Sequence, residues 1–411
     1  MEEKVIGPRK AIFLEIVLFC AYVCSASSWL VGSITTPDMM VDYGIQAIPT
    51  AINNAISCAK ILGNLVAAAI LIRLGPKKTV TFALAMVSCV ALGAFALNFP
   101  IFIFIRFLMG FGGATLMICL TPYVVYCFEP KKRPIFNGIN FVGVNTGNLI
   151  ALLSIGVVQD WLGSWRHVVL FYGAFCLFFL LLWLLVGMDY PLVTPKDDVK
   201  VDYNYRDGMR EPFLYQYLLT NTGRFVTYTV LLHLFPLRPN FTVPAGNISL
   251  LTAVGGIFGA VIGILISEFT KVRDVMLMRV CSFLLTVTFL LMLTTHNQTL
   301  ALLCAPTMGI LLLIPIPSFM TMPTKLPGTT PRKVAVILTL FWTITYIIQM
   351  IVYSAVVWMV NNVSWSVAIY FTAGYSILSF VGTFFLPDLE DPPDTVPELI
   401  DKSGGAPQEG K

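Results

Sequence analysis

Charge is what this chain has least of. Only 12% of its 411 residues are Asp, Glu, Lys or Arg, against about 25% in soluble domains, while 57% are hydrophobic. That balance excludes a soluble globular domain and points to an all-α membrane protein that crosses the bilayer many times. The net charge of +4 is no nucleic-acid signal, because the basic residues sit in short clusters between apolar runs and form no basic face. The P-loop pattern Gly-x-x-x-x-Gly-Lys-Ser/Thr is absent, which argues against ATP-driven pumping. The nine cysteines lie within or at the edge of apolar runs, where they read as small packing residues and imply no disulfide framework. No catalytic residue, metal site or cofactor is implied, so an enzyme is not expected.

Apolar runs predict spans at about 12–34, 47–72, 79–97, 100–125, 135–159 and 167–187, then 213–236, 247–267, 275–295, 299–321, 333–360 and 364–386. These are twelve transmembrane helices in two groups of six. The chain thus divides into an N-terminal six-helix bundle (1–188), a linker (189–211), a C-terminal six-helix bundle (212–386) and a disordered tail (387–411). Charge placement supports that count. Lys4, Arg9, Lys10, Arg73, Lys77, Lys78, Lys131, Lys132, Arg133, Lys196, Lys200, Arg206, Arg210, Lys271, Arg273, Lys325, Arg332 and Lys333 all fall on one side, and the opposite loops carry only Arg166 and Arg238. Both termini, the linker and the tail are therefore expected in the cytoplasm, with the chain a monomer in the plasma or cell inner membrane. Cleavage of the start as a signal peptide is disfavoured, because Glu15 interrupts the apolar run and an odd number of spans would break the charge rule. Sequons begin at Asn240, Asn247, Asn297 and Asn362, near the predicted outer side.

The second span carries a lysine where a charge is expensive. From Ala47 to Ile72 it rises about 39 Å, more than the ~30 Å hydrocarbon core, and this puts Lys60 close to the midplane. Its stem is too short to snorkel out from that depth. In the second half, Arg224 lies roughly 17 Å inside its own span. Glu15 and Glu268 sit too near the span ends to pair with either cation, and Arg279 is shallow enough to snorkel. An unpaired buried charge costs several kcal/mol. The missing counter-ion is then expected to be the transported solute itself; the alternative is that both cations are bonded internally.

The two groups of six and the basic turn Arg73-Leu74-Gly75-Pro76-Lys77-Lys78 resemble the major facilitator superfamily of secondary transporters. The family's loop motif is kept at Arg73, Gly75 and the basic end, while its first glycine, its aspartate and one basic residue are replaced. Span 4 reads Arg106-Phe-Leu-Met-Gly110-Phe-Gly112, similar to the family's Arg-x-x-x-Gly-x-Gly pattern, and Trp165-Arg166 resembles another family feature at the membrane interface. Arg106, roughly 9 Å inside its span, is open to two roles: contact with the solute, or bonding to carbonyls and interfacial water. Span 5 interleaves Asn137, Asn140, Asn145 and Asn148 with glycines and lacks the proline of the family's drug antiporters. The resemblance implies a central cavity lined by helices 1, 2, 4, 5, 7, 8, 10 and 11, which admits both Lys60 and Arg224. It also brings to mind organophosphate exchangers, but span 1 holds no arginine here, which favours carboxylates or inorganic anions over phosphorylated sugars.

These readings converge on a secondary transporter of a small anionic solute, its site made of Lys60, Arg224, Arg106, Tyr22, Asn54, Tyr228, Trp342 and Tyr346. Trp342, Tyr346, Gln349 and Tyr353 recur on one helical face of span 11. No carboxylate sits at midplane depth, and His233 lies about 13 Å from Arg224 toward the outer surface, so exchange of anions is expected in place of proton symport. The rivals are a carrier of neutral or cationic solutes and a non-transporting receptor on the same fold.

Overall fold

The computed structural model describes residues 7–129, 132–190, 203–239, 241–270, 272–326 and 331–389. Linker residues 191–202, the tail from 390 onward, Asn240 of the first sequon, and Lys4, Lys131, Lys196, Lys200 and Lys271 lie outside the described residues.

The first half runs α1 (Pro8–Ile34), α2 (Thr36–Tyr43), α3 (Ala51–Leu74), α4 (Pro76–Ser88, tightening to a 3-10 turn through Phe95), α5 (Phe99–Cys127), α6 (Arg133–Leu162) and α7 (Trp165–Val186). After a short α8 (Tyr205–Gly208) come α9 (Pro212–Thr229), α10 (Ala245–Phe269), α11 (Asp274–Thr294), α12 (Gln298–Leu313), α13 (Ile316–Thr321), α14 (Pro331–Asn362) and α15 (Trp365–Gly382). Among the described residues, eleven helices are long and apolar enough to cross a membrane, with α12 and α13 sharing one path. The twelfth crossing is α9, continued by a π turn (Val230–Leu234) and a 3-10 turn to Leu237. Its composition is more polar, and Thr220, Asn221, Thr222, Arg224, Thr227 and Thr229 are all turned inward and buried.

Helix starts follow the sequence closely. Proline occupies the first turn of α1, α2, α4, α5, α6 and α9, where the N–H it lacks has no helical partner anyway. Asn98, Ser164, Asn297 and Ser364 cap α5, α7, α12 and α15 through their side chains. At the basic turn, Gly75 adopts φ +78°, and the Asp189 carboxylate at the end of α7 accepts from the Lys77 N–H at 3.3 Å. Span 10 breaks at a proline: α12 stops at Leu313 and α13 begins after Pro315, which lacks the N–H that a continuous helix would use. The helix α2 lies in what the sequence reading left as a loop. Asp42 pins it to Arg166 at 2.9 Å, and the same guanidinium donates to the Ala94 and Ala96 carbonyls.

The packing pairs repeat between halves. α3 on α5 corresponds to α10 on α12, α1 on α6 to α9 on α14, α1 on α7 to α9 on α15, and α4 on α5 to α11 on α12. Between halves, α3 meets α14 and α6 meets α10, contacts that a two-fold axis exchanges. This is a twelve-helix fold of two pseudo-symmetric six-helix bundles.

Glycine sets how closely two of these helices approach. On α10, Gly255, Gly259 and Gly263 recur every four residues and face Pro306, Ile310 and Ile314. A Cβ at Gly259 would stand 2.5 Å from the Ile310 carbonyl oxygen, and at Gly255 or Gly263 it would run into the opposing carbonyl. Small residues at this spacing let membrane helices pack backbone to backbone. We expect Gly259→Val to separate α10 from α12 and destabilise the fold by about 1–3 kcal/mol. Gly374→Ala, where nothing lies within 4 Å, should be neutral. Thermal unfolding of the two purified variants checks both outcomes.

Candidate functional site

Three helices bring their inner faces together around Lys60. On α3, Ile56, Lys60, Asn64 and Ala68 recur every four residues and line one wall of a central cavity. Opposite stand Tyr22, Ser25, Ala26 and Trp29 of α1, with Leu338, Trp342 and Tyr346 of α14. The cavity has two lobes, of about 450 Å³ and about 200 Å³, and Lys60, Trp29, Tyr22, Trp342 and Tyr346 line both. The Lys60 ammonium lies 3.5 Å from the centroid of the Trp29 ring and 5.2 Å from that of Tyr346. A desolvated cation over an aromatic face gains about 2 kcal/mol, less than the several lost on burial. Among the described residues no carboxylate pairs with Lys60: the nearest candidate by sequence, Glu15, accepts instead from Asn140 at 2.7 Å.

The smaller lobe is bordered by more polar side chains. Asn137, Asn140 and Asn145 of α6 face Asn221, Arg224 and Tyr228 of α9 there. Tyr228 donates to Asn145, and Asn148 donates to Tyr228 at 3.0 Å. Arg224, 2% exposed, spends Nη2 on the Ser282 hydroxyl at 3.0 Å, while its Nε and Nη1 find no partner among the described residues. Asn137 Oδ1, Asn140 Oδ1 and Asn221 Nδ2 are likewise unpartnered. So Lys60 lies on the wall common to both lobes, and Arg224 lies at the edge of one, partly drawn into its own bundle.

Two expected site residues lie elsewhere. Arg106 is 1% exposed, and its guanidinium donates to the backbone carbonyls of Ser28 (3.1 Å), Trp29 (2.9 Å) and Ile52 (3.5 Å). Gly32 leaves it the room, since a Cβ there would overlap the guanidinium. Arg106 thus ties α1 and α3 to α5 and does not line either lobe. Asn54 bridges the halves instead, donating to the Ser354 hydroxyl at 2.7 Å. It belongs to a belt of contacts in which Ser57 donates to Gln349 at 2.8 Å and Asn361 exchanges hydrogen bonds with the Ile48 backbone at 3.0 and 3.1 Å. His233, on the π turn after α9, completes it 3.1 Å from the Ser33 hydroxyl, its ring stacked on Trp29 at 4.7 Å. The belt lies on the face opposite the linker, whereas the cavity extends to Ala68, Thr121 and Ala335, near the helix ends on the linker face.

Trp29 was missed by sequence reasoning, although its spacing from Tyr22 and Ser25 put it on their helical face. Of the span-11 stripe, Trp342 and Tyr346 line the cavity, Gln349 enters the belt and Tyr353 packs in the second-half core.

Arg106→Ala should cost about 3 kcal/mol of stability without changing the affinity of the remaining folded protein; thermal unfolding and binding measured on the same preparation separate the two. In a cysteine-free background, cysteines at Asn54 and Ser354 joined by a short bifunctional reagent should hold the belt shut and stop turnover, which a transport assay before and after cleavage of the bridge reads directly.

Several known proteins are similar to this chain in sequence or in fold. The chain is 27% identical over 190 residues to the uncharacterized protein Cj0987c of Campylobacter jejuni, a match spanning 46% of this chain and 59% of that relative's length. Its fold is similar to that of a bacterial homologue of the human lysosomal transporter Spinster, solved inward-facing and unoccupied (TM-score 0.66, 14% identity, 94% of this chain and 100% of that one). It is also similar to the xylose transporter XylE from E. coli in a partially occluded inward-open conformation (TM-score 0.70, 14% identity, 92% and 99% of the two chains). The sequence profile of the Major Facilitator Superfamily matches residues 17–353, most of the chain. The protein belongs to that superfamily and is a multi-pass secondary transporter of the membrane, not an enzyme.

Proposed function

We propose that this transporter carries a small anion, a carboxylate or an inorganic anion, and moves it by exchange. The observation that carries the reading is the Lys60 ammonium on the common wall of the cavity, answered by two aromatic faces and, among the described residues, by no carboxylate. A ligand carboxylate supplies the missing charge and a charge-assisted hydrogen bond. Arg224 adds a second positive charge at the edge of the smaller lobe, with two donor nitrogens unpartnered among the described residues. The belt of contacts closes the face opposite the linker, so in this state the cargo enters from the linker face, taken as cytoplasmic with both termini. Rocking of the two bundles, each carrier a monomer in the plasma or cell inner membrane, then exposes the site to the other side.

Exchange follows from the cost of returning empty. Crossing with an unanswered ammonium at the midplane is slower than crossing with a second anion aboard. The asparagine cluster favours one rival, a neutral polar solute held by hydrogen bonds. Proteoliposomes preloaded with the substrate should take up label much faster than empty ones, and an imposed pH gradient should add little. Lys60→Ala should lose at least about thirtyfold in uptake while staying folded, since truncating one partner of a buried charge contact costs 2 kcal/mol or more. Uptake that ignores internal substrate and survives this substitution would support the neutral-solute rival.

A further inference from the structure

The larger lobe is built for more than a bare anion. From the single charge and the apolar walls around it, we infer that the cargo is an organic monocarboxylate with an apolar or aromatic body, its carboxylate at Lys60 and its body in the lobe of about 450 Å³. The inference rests on the anion reading of Lys60 and narrows it.

Among the described residues Lys60 is the one charged residue lining that lobe, since Arg224 borders only the other. Away from Lys60 the wall is mostly apolar, with Ile56, Met109, Met117, Ile118 and Leu338, and Gly110, Gly113 and Ala114 keep it wide; Ser25, Asn64, Thr121 and Thr339 are its neutral polar members. Where the lobes join, Phe225, Trp342 and Tyr346 pack ring against ring at 5.4–6.0 Å. A phosphate or sulfate entering here would shed water along largely apolar surface with one ammonium beside it, and the few neutral hydroxyls and the Asn64 amide of the lobe do not match that hydration. Formate would satisfy Lys60 but leave the apolar lobe unfilled. A volume of about 450 Å³ lies in the range of pockets that hold drug-sized organic ligands. A ring or short alkyl body of a carboxylic acid covers those walls and gains from the burial. Methionine adapts to differing shapes, which suits a carrier that accepts several related acids.

Calorimetric titration of the purified full-length protein tests this with benzoate, cyclohexanecarboxylate, formate, phosphate and the neutral isostere benzamide. Benzoate and cyclohexanecarboxylate should bind at least about tenfold more tightly than formate or phosphate, the gain expected from burying one ring. Met117→Gln, at a cavity-facing position 37% exposed, should weaken benzoate about fivefold and leave formate unchanged. Equal or tighter binding of formate or phosphate, or no binding of either ring acid, overturns the inference; tight formate or phosphate binding that depends on Lys60 leaves the anion reading standing. Benzamide binding as well as benzoate, with Lys60→Ala indifferent, overturns the anion reading itself.

Discussion

An ammonium group deep in a membrane-spanning bundle costs several kcal/mol unless its charge is answered, and at Lys60 the described residues answer it with the faces of Trp29 and Tyr346. The surroundings of α3 keep that group in place. Gly63 lies against Ala114 and Gly110 against Ile56, so α3 and α5 touch nearly backbone to backbone and Lys60 cannot turn away from the cavity without opening that seam. Arg106 then fixes α1 against α3 from the closed end, through carbonyls on both. Of the two roles the sequence left open for Arg106, bonding to carbonyls is the one it fills, and it holds the helices together without bordering the cavity.

Trp29 connects the site to the closed face. One side of its indole takes the Lys60 ammonium, its ring stacks with His233, and its N–H donates to Asn53 at 3.2 Å. His233 sits on a π turn, where the regular helical ladder is already interrupted and small shifts cost little. Under the exchange reading, an anion that draws the ammonium off the indole loosens the stack that helps hold the halves together.

Much of this was legible in the sequence. The spans and the two groups of six follow from apolar run length, which is a local property. Tyr22, Tyr228, Trp342 and Tyr346, named from the sequence as lining candidates, border the cavity. What escaped depends on partners distant in the chain. Arg106 was read at the right depth, but its carbonyl acceptors lie more than fifty residues away. Asn54 pairs with Ser354, three hundred residues on, and nothing local to either announces the belt. The helix α2 was missed although Pro37 and Asp38 in its first turn are local signals, because the run was judged only as a connection between spans.

The most direct measurement is an experimental structure of the carrier with cargo bound. The account predicts an anionic oxygen of the cargo at about 2.7–2.9 Å from the Lys60 Nζ, with the ammonium displaced from the Trp29 ring toward it. A cargo held by the asparagines and Tyr228 alone, with the ammonium still seated on Trp29, would contradict it.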